Sequence, residues 1–170
     1  MEFDKLVEAR YSCRKFSDKK VDPALIEEII AVGNQAPTAV NKQPFKIFRM
    51  ESAQAKEAIR ATTRFHFDAD NFLVVGYPKD QGWVRRSDSR PFADVDASIV
   101  GTYMMLKITD LGLGTTWVGY FDAPRLKELC PALADYDLIA IFPIGYPAED
   151  AAPAEYHYVR KPIAEIAETL

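Results

Sequence analysis

The stretch Val95–Leu111 is almost wholly apolar or small, and no other feature restricts the fold of this chain so strongly. A run of this kind predicts a helix buried on most sides, stopped by Gly112 in the left-handed cap position. It is the central helix, and the other elements must be arranged around it.

Those elements are legible from periodicity and end signals. Phe3, Leu6 and Val7 give a short helical period ending near Tyr11. Asp22 followed by Pro23 reads as an N-cap and first helical residue, with Leu25, Ile26, Ile29, Ile30 and Gly33 on one face. That helix stops before Pro37, because the residue ahead of a proline is pushed out of the helical region. Phe45–Met50 alternates as a strand does, and a helix is predicted from Ser52 to about Thr62. Further strands are predicted at Phe72–Gly76, Trp117–Phe121 and Leu138–Ile144. A helix capped by Asp122 falls between the last two, with Leu126, Leu129 and Cys130 facing inward. Gln81–Asp94 has no period and reads as an exposed, mobile excursion. Helices precede and separate the strands without regular alternation, which argues for an α+β layer arrangement over a doubly wound parallel sheet. One domain spanning residues 1–170 is expected. Its sheet has about four strands, and residues 148–170 form a C-terminal arm with a last helix after Pro162.

Several function classes are disfavoured. No stretch approaches the ~18 to 20 apolar residues of a membrane span, and the N-terminus lacks the order of a secretory signal, so a soluble cytoplasmic protein is expected. The net charge of −4 gives no reason to expect nucleic acid. Cys13 and Cys130 lie far apart with no C-x-x-C, and no metal motif is present, so neither a metal nor a dithiol site is expected. His66 and His157 sit in no motif, and a nucleophile elbow is missing.

Three segments carry chemistry. Arg10-Tyr11-Ser12-Cys13-Arg14-Lys15-Phe16 places two guanidiniums, an ammonium and a hydroxyl within a few residues, a group able to cradle a phosphate, although a solvated basic turn is the plainer reading when it is taken alone. Ala36–Phe45 holds Thr38, Asn41 and Gln43, whose hydroxyl and amides suit the donor and acceptor edge of a heteroaromatic ring; turn chemistry accounts for it equally well. Gly112–Gly119 joins the central helix to the next strand. Its glycines either admit backbone close to a ligand or simply cap the helix and turn, and the Rossmann spacing is not met.

In this order, and followed by Phe142–Pro147 and Arg160-Lys161-Pro162, the three segments resemble the nitroreductase family over nearly the whole chain. The motifs are R-R-S-[VI]-R-x-[FY], P-[ST]-x-x-N-x-Q-P-[WF] and G-L-G-[ST]-x-W-[IV]-G. Tyr11 and Cys13 depart from the first, and Phe65–Asp94 matches none. The resemblance implies a three-layer α/β/α homodimer around a central mixed, mainly antiparallel sheet, with FMN bound at the subunit boundary. It places Arg10, Tyr11, Ser12 and Arg14 of one subunit at the ribityl chain, phosphate and pyrimidine edge, with Arg160 at the phosphate. Pro37, Thr38, Ala39, Asn41 and Gln43 come from the partner, and Thr115, Thr116 and Trp117 lie along the ring. No side chain is catalytic by itself, since the flavin reacts. The implied activity is ping-pong transfer from NADH or NADPH to nitro compounds, quinones or related small acceptors. Reductive dehalogenation, flavin breakdown, or flavin storage with little turnover are the alternatives the same cradle allows.

Overall fold

Strand β2 shows why this chain layers as it does. In the computed structural model, which describes residues 1–170, Leu73 and Val75 join one buried cluster while Phe72 and Val74 join another. A strand with apolar side chains on both faces needs a cover on each side.

The chain opens with α1 (Phe3–Ala9) and α2 (Pro23–Gly33), then runs through β1 (Lys46–Arg49), α3 (Ala53–Thr62) and β2 (Asn71–Pro78). A small hairpin of β3 (Val84–Arg85) and β4 (Arg90–Pro91) leads into α4 (Ala93–Asp110). After β5 (Gly114–Thr115), α5 (Ala123–Leu129) and β6 (Tyr136–Gly145), a 3₁₀ turn at Glu155–Tyr158 precedes the last helix, α6 (Ile163–Ile166). The main sheet has the order β1-β2-β6-β5, and every pairing between its strands is antiparallel. A parallel bridge between Ser12 and Thr115 adds the one parallel contact at its edge. The α+β class and the mainly antiparallel sheet stand as expected.

The two clusters are the two sides of this sheet. On one side α2 and α4 bury Ile26, Ile29, Val100, Met104 and Ile108 against Leu73, Phe142 and Ile144. On the other, α3 and α5 bury Ile59 and Leu126 against Phe72, Val74 and Ile141. Side chains of this size each contribute roughly 1.5–3 kcal/mol when fully buried, so both layers are needed to hold β2 and β6 between them.

Local end signals operate as the sequence implies. The Asp22 carboxylate accepts from the Ala24 N–H at 2.9 Å with Pro23 in the first turn, and the Ser52 hydroxyl accepts from the Ala55 N–H at 3.1 Å. Asp122 caps α5 through the Arg125 N–H at 3.0 Å. Gly112 has φ +73°, the left-handed stop after α4.

Three expectations are corrected. Trp117–Phe121 is not a strand: only Val118 bridges Ile141. The Asp122 N–H donates to Thr62 O and the Thr63 hydroxyl to Tyr120 O, and these bonds draw the segment off the sheet toward the end of α3. Gln81–Asp94 contains regular structure, the hairpin, held by Trp83 stacked edge-on to Phe92 at 5.2 Å and by the Phe92 N–H donating to Trp83 O. The central helix starts earlier, at Ala93, and Thr102 and Tyr103 are exposed, so one stripe of it is open.

Candidate functional site

Arg10, at the end of α1, and Arg160, beyond the last strand, come together. With Ser12, Arg14, Tyr156 and His157 they line a pocket of about 290 Å³ into which no carboxylate projects. The pocket forms because the Cys13 N–H donates to Thr115 O and the Ser17 N–H to Tyr146 O, fixing the segment after α1 along the sheet edge. The 3₁₀ turn Glu155–Tyr158 then brings the C-terminal stretch over it. Partial desolvation, with the positive charges of Arg10 and Arg160, holds the His157 imidazole below its ordinary range. An uncompensated positive field of this kind favours an anion.

Not every predicted group joins it. Lys15 is ion-paired with Asp150 instead and does not line the pocket. Burial, together with the adjacent Cys13 thiol, pushes the Tyr11 phenol up to about 12, so it stays a neutral hydroxyl. Cys13 is fully buried, its Sγ facing Lys15 O at 3.2 Å.

The second segment is shaped by strain. Val40, Asn41 and Gln43 have φ of +48°, +55° and +52°. This region costs L-residues roughly 1–2 kcal/mol each and is least natural for a β-branched side chain such as Val40. The turn is held from inside. The Thr38 hydroxyl accepts from the Gln43 N–H at 3.0 Å, the Gln43 side-chain amide donates to Asn41 Oδ1 at 3.2 Å, and the Asp96 carboxylate accepts from the Ala39 N–H at 2.9 Å. Pro37, Asn41 and Gln43 are exposed, while Thr38 and Ala39 are half-buried. No hydrogen bond joins this loop to Arg10, Tyr11, Ser12, Arg14 or Arg160 of the same chain.

Thr115 and Thr116 are buried beside the first segment, and Thr115 Oγ1 has no partner. Trp117 turns its ring inward, edge-on to Phe142 at 5.2 Å and over Gly101, where a Cβ would lie 2.7 Å from the indole. The glycines nearby answer to packing. A Cβ on Gly114 would lie 2.7 Å from Cys13 Sγ, so this glycine lets the Arg10–Phe16 segment lie flat on the strand, and room for a ligand is not what it provides.

A family model, the Nitroreductase family, matches residues 7–71 and 60–146. The chain belongs to the nitroreductase family. A nitroreductase family protein from Clostridium difficile 630 superposes with a TM-score of 0.90 at 32% identity, covering 100% of both chains. A nitroreductase-like protein from Exiguobacterium sibiricum 255-15, solved in complex with FMN, has the same fold at TM-score 0.84 and 18% identity, over 100% of this chain and 98% of that one. An NADPH-dependent oxidoreductase from Staphylococcus aureus (strain MRSA252) is 24% identical over 167 residues, covering 85% of this chain but 64% of the relative, so this nitroreductase family chain spans less than two thirds of that protein's length.

Three residues outside the nominated set bear on the site: Tyr156 and His157 line the pocket, and Asp96 holds the second loop. His157 belongs to no motif, and its only signal is its position three residues before Arg160. Asp96 was absorbed into the apolar run, which also holds Asp110; an acidic residue between Val95 and Ala97 is the one signal the sequence offers, and the structure leaves it 2% exposed.

Proposed function

We propose that the chain is an FMN-dependent NAD(P)H oxidoreductase acting on nitro compounds, quinones or related small acceptors by a ping-pong mechanism. The observation that carries this reading is the carboxylate-free pocket where Arg10, Ser12, Arg14, His157 and Arg160 converge from opposite ends of the sequence. Guanidiniums and a hydroxyl in that arrangement fit a phosphate monoester. The names of relatives point the same way, through an FMN complex in one and NADPH dependence in another.

FMN, when bound, supplies the redox chemistry between the nicotinamide donor and the acceptor. The chain's own groups bind and tune. Arg10 and Arg160 hold the phosphate, with Ser12 and Arg14 toward the ribityl chain and pyrimidine edge. Tyr11 offers a neutral hydroxyl. The Thr115–Trp117 backbone lies along the ring, its Trp117 side chain locked by the core so that the main chain keeps its place. Pro37, Thr38, Ala39, Asn41 and Gln43 serve the flavin of a second copy, which accounts for a shaped loop with no bond to its own chain's basic pocket.

A homodimer is part of the proposal. Met1, Phe3, Leu6, Val32, Tyr103 and Leu106 line an open apolar groove of about 550 Å³ where α1 and α2 meet the open stripe of α4. Ile163 and Ile166 of α6 are also exposed, at 73% and 65%. Apolar surface of this extent favours a partner.

The test is the absorption spectrum of the purified protein reconstituted with FMN, followed by anaerobic titration with NADH and NADPH. Flavin bands that bleach with either nucleotide, and recover with a quinone or nitroaromatic, are expected. Failure to take up FMN overturns the reading, and flavin uptake without nicotinamide oxidation leaves a binding module in place of an enzyme. No helix is long and apolar enough to cross a membrane.

A further inference from the structure

Asp96 is a carboxylate with an incomplete set of partners in the interior of the protein. It lies in the first turn of α4 and is 2% exposed; its Oδ1 accepts from the Ala39 N–H at 2.9 Å, and its Oδ2 has no partner. A buried carboxylate oxygen without a donor is costly, and an apolar side chain would serve packing better. The bond it does make reaches 57 positions along the chain to the residue directly before Val40, where the backbone enters the left-handed region. Strained backbone persists only where the surroundings over-determine it. The other restraints, from Thr38 and Gln43, lie within the loop and move with it. Of the loop's backbone amides, Ala39 alone donates to a side chain outside the loop.

We infer that Asp96 is a positioning residue that ties the Thr38–Gln43 loop to α4 and so sets the loop's presentation to the flavin. The inference rests on the proposed flavin role of that loop. Asp96 touches no cofactor; it acts through the Ala39 amide. Asp96 sits in the first turn of α4, a helix of 18 residues, so the anchor is carried on a regular element while it holds the loop.

The experiment compares wild type, Asp96→Ala and Asp96→Asn, using hydrogen exchange of the Ala39 amide, FMN dissociation by fluorescence titration, and denaturant unfolding. Asp96→Ala is expected to speed Ala39 exchange by about tenfold or more and to weaken FMN binding by about tenfold. Asn keeps an acceptor oxygen of the same shape, so Asp96→Asn should restore most of both. An Ala39 amide that exchanges in wild type as fast as an open loop overturns the inference, even if Asp96→Ala does not fold. So does an Asp96→Ala protein whose exchange and FMN affinity stay within twofold of wild type. Equal losses in both variants, tracking global stability, overturn it in favour of a packing role. If wild type binds no FMN, the flavin reading fails, while the exchange comparison still decides whether Asp96 anchors the loop.

Discussion

The Arg10–Arg160 pocket and the Thr38–Gln43 loop are built in opposite ways. The pocket collects charge: its residues come from the two ends of the chain, and its character lies in the kinds of side chain present. The loop collects shape: its residues are contiguous, and its character lies in left-handed backbone held by hydrogen bonds. Charge confers affinity for an anion wherever the groups can reach it, whereas shape confers orientation only while the restraints last. Where the two act together, how tightly a ligand is held becomes separable from how it is oriented.

The strongest way to break this comparison is to remove the charge. Arg10→Ala and Arg160→Ala should each weaken FMN binding by about 1.5–3 kcal/mol, roughly ten- to hundredfold in Kd. Fluorescence titration checks this, and loss of FMN affinity without loss of riboflavin affinity would locate the effect at the phosphate. Next comes the packing that carries the Thr115–Trp117 segment. Gly101→Val would thrust carbon into the Trp117 and Phe142 rings, where even a Cβ would sit 2.7 and 2.9 Å away, and should cost about 1–3 kcal/mol in denaturant unfolding.

A smaller effect is expected in the loop. Val40→Gly removes the left-handed penalty of about 1–2 kcal/mol and adds about 0.5–1 kcal/mol of chain entropy. Unfolding should therefore show stability unchanged or raised by about 1 kcal/mol, and a clear loss would mean that the loop is not strained. The smallest signal is the titration of His157. Its folded value is depressed by desolvation and by Arg10 and Arg160, so the unfolded chain takes up the proton first. This contribution to stability is present above the ordinary histidine value near 6.5 and declines as the pH falls through it toward the folded value. A phosphate in the pocket offsets the guanidinium charges and should raise the His157 midpoint. NMR titration with and without phosphate tests this, and an unmoved midpoint would place the anion elsewhere.

Legibility in the sequence follows the same division. Helix starts at Asp22, Ser52 and Asp122 could be read because a cap is made within three residues. Arg10, Ser12 and Arg14 could be nominated because charge and donor type are properties of the residue itself, and Arg160 only because the family resemblance places it at the phosphate. Trp117–Phe121 was misread as a strand because its apolar pattern reflects core contact, while the bonds that divert it, to Thr62 and Thr63, lie more than fifty positions away. The hairpin at Val84–Pro91 escaped because it has only two pairs and none of the usual glycine turn residues, with Ser89 in the left-handed position. Asp96 escaped because its partner is a backbone amide, which no side-chain pattern announces.

Helix α4 carries both the Asp96 anchor and the Gly101 seat of Trp117, five positions apart, a separation of about 7.5 Å along the helix axis. Inserting or deleting one residue between them would swing one contact by about 100° relative to the other, so this stretch, which also buries Ala97 and Val100, should not tolerate a change of length. The neighbouring hairpin, exposed and closed by two residue pairs, is where insertions and deletions can accumulate without disturbing either contact.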